Sequence, residues 1–342
     1  MKRKAERFRF FEYLVFSAVT LAAMCLCICV GSVNIPLKET LNVLLRAVTG
    51  QPQEEGLAGT IIMSVRLPRV LCVALTGAAL SLAGAAMQGL LKNPLADGST
   101  LGVSSGAALG AVLAIAFGIQ FPKLPFAGTM VMAILFAFLS LAVILGLAYK
   151  LDYTLSTNTI ILIGVIYSMF VSSAMSVVIT FAADKVQHIT FWTMGSLQNS
   201  SYSNALVLGV TLLLCGGVLM LHCRELNAFA VGEDNARHIG VDVRRTKLVV
   251  LISVSVLIGV CVSIGGTISF VGLVTPHMVR MIVGPNHKRL MPASAFGGAV
   301  FLLLADLIAR IALNPRELPI GVVTSLVGAV VFVGIFYKTR KG

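Results

Sequence analysis

Few side chains in this sequence could do chemistry, and their spacing narrows what that chemistry would be. Arg66 and Arg69, in RLPR, and Arg310, with Arg316 shortly after it, are fixed cations beside apolar runs. Such a guanidinium either snorkels toward lipid headgroups or forms an electropositive rim for an acidic partner or anionic ligand. Asp306 stands one helical turn before Arg310, so an intrahelical ion pair is the modest reading. His277, after Pro276 in PHMVR, has no nucleophile–base arrangement around it and is read as structural. No GxxxxGK[ST], HExxH or nucleophile elbow occurs, so the chain has no phosphate cradle with which to hydrolyse ATP by that route. The seven cysteines (Cys25, Cys27, Cys29, Cys72, Cys215, Cys223 and Cys261) lie in or beside apolar stretches without CxxC spacing. They read as small buried hydrophobes, with neither a disulfide framework nor a metal site, and no cofactor is expected.

One stretch differs from its surroundings. RELNAFAVGEDNARHIGVDVRR, residues 224–245, carries both signs of charge and little continuous apolarity. Gly232 and Gly240 suit helix C-terminal positions. Glu233 and Asp234 could cap a short helix between them, with Arg237 and His238 complementing the dipole at its end. Ala236 and Ile239 then share one side, and Phe229 extends the apolar patch from the preceding turn. The sequence predicts a pair of short helices that dock into a groove of another protein; the mixed charge argues against simple attraction to anionic lipid. Elsewhere, Met87, Gln88 and Asn93 close an apolar run. Gln88 should face a bundle interior or an aqueous path, or else satisfy a structural hydrogen bond. Gly102, Gly106 and Gly110 are small-xxx-small steps that permit close helix approach.

The elements that hold these residues follow from composition. Of 342 residues, 57% are hydrophobic and 12% charged, with mean hydropathy +0.95. Soluble domains carry about 25% charged residues, so this is an integral membrane protein. The formal charge of +12 then reflects basic loops on one side of the membrane and not nucleic-acid binding. At roughly 20 apolar residues per span, about ten candidates appear: 11–34, 59–91, 98–118, 125–149, 156–183, 203–222, 246–264, 268–284, 292–312 and 319–337. The eighth, with Pro276 and His277, should be broken or partly outside lipid. Helices are the only assignment, because no alternating barrel pattern is present. The basic N-terminus (Lys2, Arg3, Lys4, Arg7, Arg9) precedes a retained first helix. Loop charges favour both termini inside: 222–247 and 284–291 are basic, whereas 35–58 has Lys38 and Arg46, and 119–124 has Lys123. The chain reads as one transmembrane domain, 1–342, with a cytoplasmic coupling segment at about 223–245.

Four stretches together resemble one family. RLPRVLCVALTGAALSLAGAAMQGLLKNPLADGSTLGVSSGA (66–107) looks like the signature of the FecCD-type iron-siderophore and cobalamin permeases of ABC importers. FWTMGSL (191–197), LNAFAVGEDNARHIGV (226–241) and residues 266–332 agree with it in the family's order. The sequence departs at Gly98, where Pro commonly follows NPLAD, and at Val330 and Val331. The resemblance implies an all-α polytopic membrane protein with about ten transmembrane helices and type II ABC importer permease architecture. Two permease subunits, identical or paralogous, would surround a central pathway, with two cytoplasmic ABC ATPases and an extracytoplasmic substrate-binding protein, in a bacterial cytoplasmic membrane. It further implies that Leu226, Asn227, Phe229, Gly232, Glu233, Asp234, Ala236, Arg237, Ile239 and Gly240 couple to the ATPase. Arg66, Arg69 and Arg310 would meet acidic residues of the binding protein. Met87, Gln88, Asn93, Pro94, Gly102, Gly106, Pro276 and His277 are the expected pathway or gating residues. Ferric siderophore is the leading cargo, with haem and cobalamin open. The alternative, an ion-gradient-driven secondary transporter, would need midplane carboxylates, and Asp306 is the main acidic residue inside a span.

Overall fold

The computed structural model describes residues 8–31, 35–51, 56–98, 101–119 and 127–341. Lys2, Arg3, Lys4, Arg7 and Lys123, which contributed to the charge asymmetry, lie outside the described residues. In lipid, a backbone can satisfy its polar groups only internally, and the described chain is helical almost throughout. In order the helices are α1 (Phe10–Cys29), α2 (Leu37–Thr49), α3 (Leu57–Ile61), α4 (Leu67–Leu91), α5 (Val103–Phe117), α6 (Ala127–Leu151), α7 (Thr157–Phe181) and α8 (Val186–Thr193). There follow α9 (Tyr202–Leu221), α10 (Cys223–Val231), α11 (Glu233–His238), α12 (Val243–Gly265), α13 (Val271–Val283), α14 (His287–Ile311) and α15 (Ile320–Lys341). A π-helical turn, Ile62–Arg66, joins α3 to α4 in one 35-residue rod.

Each predicted span holds an apolar helix. Seven are long enough to cross a bilayer, and three are shorter: Val103–Phe117, Val271–Val283 and Ile320–Ile335. At about 1.5 Å per residue, α13 is near 20 Å long and cannot span about 30 Å of hydrocarbon alone. Its break lies ahead of Pro276, at residues 266–270, where Gly266 (φ 68°) and Phe270 (φ 69°) turn the chain out of helix. Pro276 itself sits inside α13. Residues 35–58, read from sequence only as a connection, contain the amphipathic α2. It exposes Leu37, Leu41 and Leu45 at four-residue steps.

The centre is α4, nearly all of whose residues are buried, as expected of a helix apolar all round. Its glycines set the packing. A Cβ on Gly77 would lie 2.3 Å from Gly298 O in α14, and one on Gly84 would lie 1.9 Å from Gly272 O in α13. Backbone therefore meets backbone along this seam. The predicted small steps in α5 work alike: a Cβ on Gly106 would lie 1.6 Å from Ser140 Oγ in α6, and one on Gly110 would lie 2.2 Å from Met132 O.

Candidate functional site

The polar middle segment forms two short helices, α10 and α11, joined at Gly232, whose φ of 135° suits glycine. It is bolted to three spans. Asn227 Oδ1 accepts from the His287 backbone N at 2.8 Å and stands 2.8 Å from His287 Nδ1, while Asn227 Nδ2 donates to Asn286 Oδ1 at 3.0 Å. Those contacts fix α10 to the start of α14. Glu233 accepts from Lys247 Nζ of α12 at 2.8 Å and from Thr157 Oγ1 of α7 at 3.1 Å. Glu233 and Asp234 were expected to cap α11; both lie in its first turn, but no side chain caps it. Asp234 instead pairs with Arg237 at 3.3 Å on the surface.

The apolar face of this segment points differently from the sequence expectation. Phe229, Ala236 and Leu226 are each 0% exposed, because they pack against the chain's own core. Of the predicted patch only Ile239 is open, at 71%, and Val231 joins it at 72%. A partner groove would therefore receive Val231 and Ile239, with Asp234 and Arg237 beside them, and not Phe229 or Ala236. Gly240, with φ 88°, ends the segment. Beneath it, Asp152 accepts from Thr154, Ser156 and Thr159 ahead of α7. The bonds from Thr154 and Ser156 hold its carboxyl well below the usual range.

At the opposite end of α4 lies a buried ion cluster. The rim expected from Arg66, Arg69 and Arg310 is not an open one: they are 6%, 7% and 4% exposed. Arg69 donates through Nε and Nη2 to Asp306 Oδ1 at 3.1 and 2.8 Å, and through Nη1 to Glu317 Oε2 at 2.8 Å. Arg310 Nε stands 3.1 Å from Asp306 Oδ2, close enough for charge pairing but misaligned for a hydrogen bond, so the one-turn pair holds. Arg66 and Arg310 also donate to carbonyls at the C-terminal end of α1: Arg66 Nη1 to Ile28 O at 2.5 Å and Arg310 Nη1 to the O of its C-cap, Val30, at 3.2 Å. Cations at a helix C-terminus complement its dipole. These buried arginines hold α1, α4 and α14 together because each guanidinium brings several fixed donors. Gln198 Nε2 adds a 2.6 Å bond to Glu317. Burial alone would raise the Glu317 carboxyl, but Arg69, Gln198 and Arg310 hold it below its ordinary value. Glu317, Gln198 and Lys247 escape a sequence reading because nothing local marks their distant partners.

The expected pathway residues divide. Met87 is 0% exposed and Gln88 4%. Gln88 Nε2 donates to Gly272 O and Leu273 O at 3.3 and 3.1 Å, and its Oε1 accepts from Arg280 Nη2 at 2.9 Å. Of the two readings for Gln88 the structural hydrogen bond is the one observed, tying α4 to the first turn of α13. Asn93 Oδ1 accepts from Leu95 N at 2.9 Å, shaping the turn that contains exposed Pro94. Gly102 (φ 71°) precedes α5, and Gly106 is consumed by the α5–α6 contact. Pro276 is buried and His277 half-buried near Phe332. Among the described residues no His, Cys, Asp and Glu gather as a metal-ligand set.

The FecCD transport family profile matches residues 19–338. The chain belongs to that family. It is 40% identical to the ABC transporter permease protein YvrB of Bacillus subtilis (strain 168), over 98% of this chain and 95% of that one. It is 37% identical to the cobalamin import permease BtuC of Halobacterium salinarum, over 80% and 73% of the two chains. To the hemin transport permease HmuU of Yersinia pestis it is 36% identical, over 82% and 84%. A solved transporter described as of metal-chelate type, in an inward-facing conformation, superposes with a TM-score of 0.83. That chain is 33% identical, with 95% of this chain and 98% of that one covered. This FecCD-family chain is thus the multi-pass membrane permease of an ABC importer.

Proposed function

We propose that the permease carries an iron chelate, a ferric siderophore first among them, handed over by an extracytoplasmic binding protein and driven by separate ATPases. The observation that carries this reading is the α10–α11 segment. It is fastened to α14 by Asn227 and to α12 and α7 by Glu233, yet it leaves Val231 and Ile239 uncovered. Force applied there by a docked ATPase would reach three spans without any catalytic group in this chain. A second permease, identical or paralogous, completes the pathway, and the segment and both termini face the cytoplasm. At the other end, among the described residues, Arg69 pairs with Asp306 and Glu317 and Arg310 with Asp306, and Arg310 Nη2 is buried without a hydrogen-bond partner. An acidic group of the binding protein would complete that cluster. The cargo is a metal chelate by likeness to the solved metal-chelate transporter, and its iron rests on the family resemblance and on the relative named for hemin.

The test is uptake of a radiolabelled ferric siderophore by proteoliposomes holding the permease and its ATPase, with binding protein outside and ATP inside. Uptake that needs all three components supports the proposal. Uptake driven by an ion gradient without the ATPase would establish a secondary transporter, and selective transport of cobalamin would replace the cargo.

A further inference from the structure

Beside the α10–α11 segment, at the same end of the bundle, an open groove of about 420 Å³ lies along the first turns of α12, lined by Asp242, Arg244, Arg245, Leu248, Val249 and Ile252. The Arg244 guanidinium stands over two rings of the α6 end, 5.1 Å from the Tyr149 centroid and 5.3 Å from that of Tyr153. Two aromatic faces thereby hold the cation without neutralising it. Arg245 is exposed, and among the described residues its side chain has no partner. The nearby carboxylates are engaged: Asp242 accepts from the Arg245 backbone N at 3.0 Å, and Asp152 accepts from Thr154, Ser156 and Thr159. Past the cations the lining turns wholly apolar. Ile252, seven residues beyond Arg245, is 46% exposed. At about 1.5 Å per residue it lies some 10 Å deeper along the helix.

We propose that this groove is a binding site for one anionic phospholipid. Arg244 and Arg245 would hold its phosphate, the tyrosines its glycerol region, and Leu248, Val249 and Ile252 an acyl chain. Two features select this occupant: a mouth where Arg244 and Arg245 outnumber the one lining carboxylate, Asp242, and an apolar floor descending into the hydrocarbon. A soluble anion would use only the mouth, and a zwitterionic lipid would gain little from the cations. Basic pockets between transmembrane helices are suited to anionic headgroups for this reason.

The experiment uses the purified full-length permease in nanodiscs of mixed phosphatidylglycerol and phosphatidylcholine. Native mass spectrometry should show phosphatidylglycerol retained in preference. The double variant Arg244→Ala/Arg245→Ala should lower that preference on the order of tenfold, while Arg224→Ala, an exposed cation of α10, should leave it unchanged. Equal losses in both variants would mean diffuse attraction and would overturn the site, as would no preference at all. Occupancy of the floor is read separately with Ile252→Trp in a Trp192→Phe background, since Trp192 is the only tryptophan. Brominated phosphatidylglycerol should quench that tryptophan more than brominated phosphatidylcholine, and the difference should vanish in the double arginine variant. Equal quenching by the two lipids overturns the proposal. So does quenching by neither, the outcome if a protein partner covers the groove.

Discussion

The Lys247 ammonium lies 2.8 Å from Glu233 Oε2, and its side chain is 0% exposed. The same ammonium donates to Leu155 O at 2.8 Å, so one charge joins α11, α12 and the turn that launches α7. Removing one partner of such a bond costs about 1–3 kcal/mol, because the other is left desolvated. Lys247→Met should lower the melting temperature in detergent and reduce uptake more than it reduces ATPase co-purification. The double variant Lys247→Met/Glu233→Gln should be less destabilised than the sum of its singles; strict additivity would mean the pair does not act as a link.

Asp306 lies between Arg69 and Arg310 and is 0% exposed. Asp306→Asn would leave two guanidiniums buried with one acid to share, a loss of about 3–5 kcal/mol for a broken buried pair. The expected result is poor recovery of folded protein. Glu317→Gln should be milder, since that side chain is 24% exposed. The Glu317 carboxyl is held below its ordinary value of 4.5, so its tie to Arg69 contributes stability above that value. That contribution is lost as pH falls through the lowered folded value. Thermal melts in detergent across the acid range should therefore fall more steeply for the unmodified protein than for Glu317→Gln. Parallel curves would remove Glu317 from the account.

The segment proposed to meet the ATPase can be probed without unfolding it. Ile239→Glu changes an exposed side chain and should weaken ATPase co-purification while leaving the melting temperature unchanged. Ala236→Glu places a charge in the chain's own core and should lower both. If Ile239→Glu copurifies at full yield, the contact lies elsewhere.

The glycine seam gives a paired test. Gly84→Ala would set a methyl 1.9 Å from Gly272 O and should destabilise by several kcal/mol, since backbone cannot move aside as a side chain can. Gly146→Ala, in α6, meets nothing within 4 Å and should be neutral or stabilising by up to about 1 kcal/mol. Equal effects of the two, measured by thermal unfolding in detergent, would contradict the close approach.

What could be read from the sequence was what is local in it. Ten apolar runs gave ten apolar helices, because hydropathy over about 20 residues is sufficient information for a membrane segment. The short helix Glu233–His238 followed from the glycines on either side, and the Asp306–Arg310 pair from one turn of spacing. What depends on distant parts of the chain was not legible. Arg69 and Glu317 stand 248 positions apart, so no spacing rule joins them. For the same reason the arginines read as an open rim although they are buried and paired within the chain, and Phe229 and Ala236 read as facing a partner when they face their own core. Residues 35–58 hid α2 because its leucines alternate with Lys38, Glu39 and Arg46, which lowers average hydropathy below any span threshold.

Where Gly77 meets Gly298 and Gly84 meets Gly272, backbone touches backbone, with no side chain in between that could change rotamer. A surface padded with long side chains can creep by small repackings, whereas bare backbones in register have one seat or another. At these two points α4 and the parts of α13 and α14 seated against it then move as one body if they move at all. The permease is in this sense geared: a displacement delivered to α4 is passed on through a stiff contact and is not dissipated inside it.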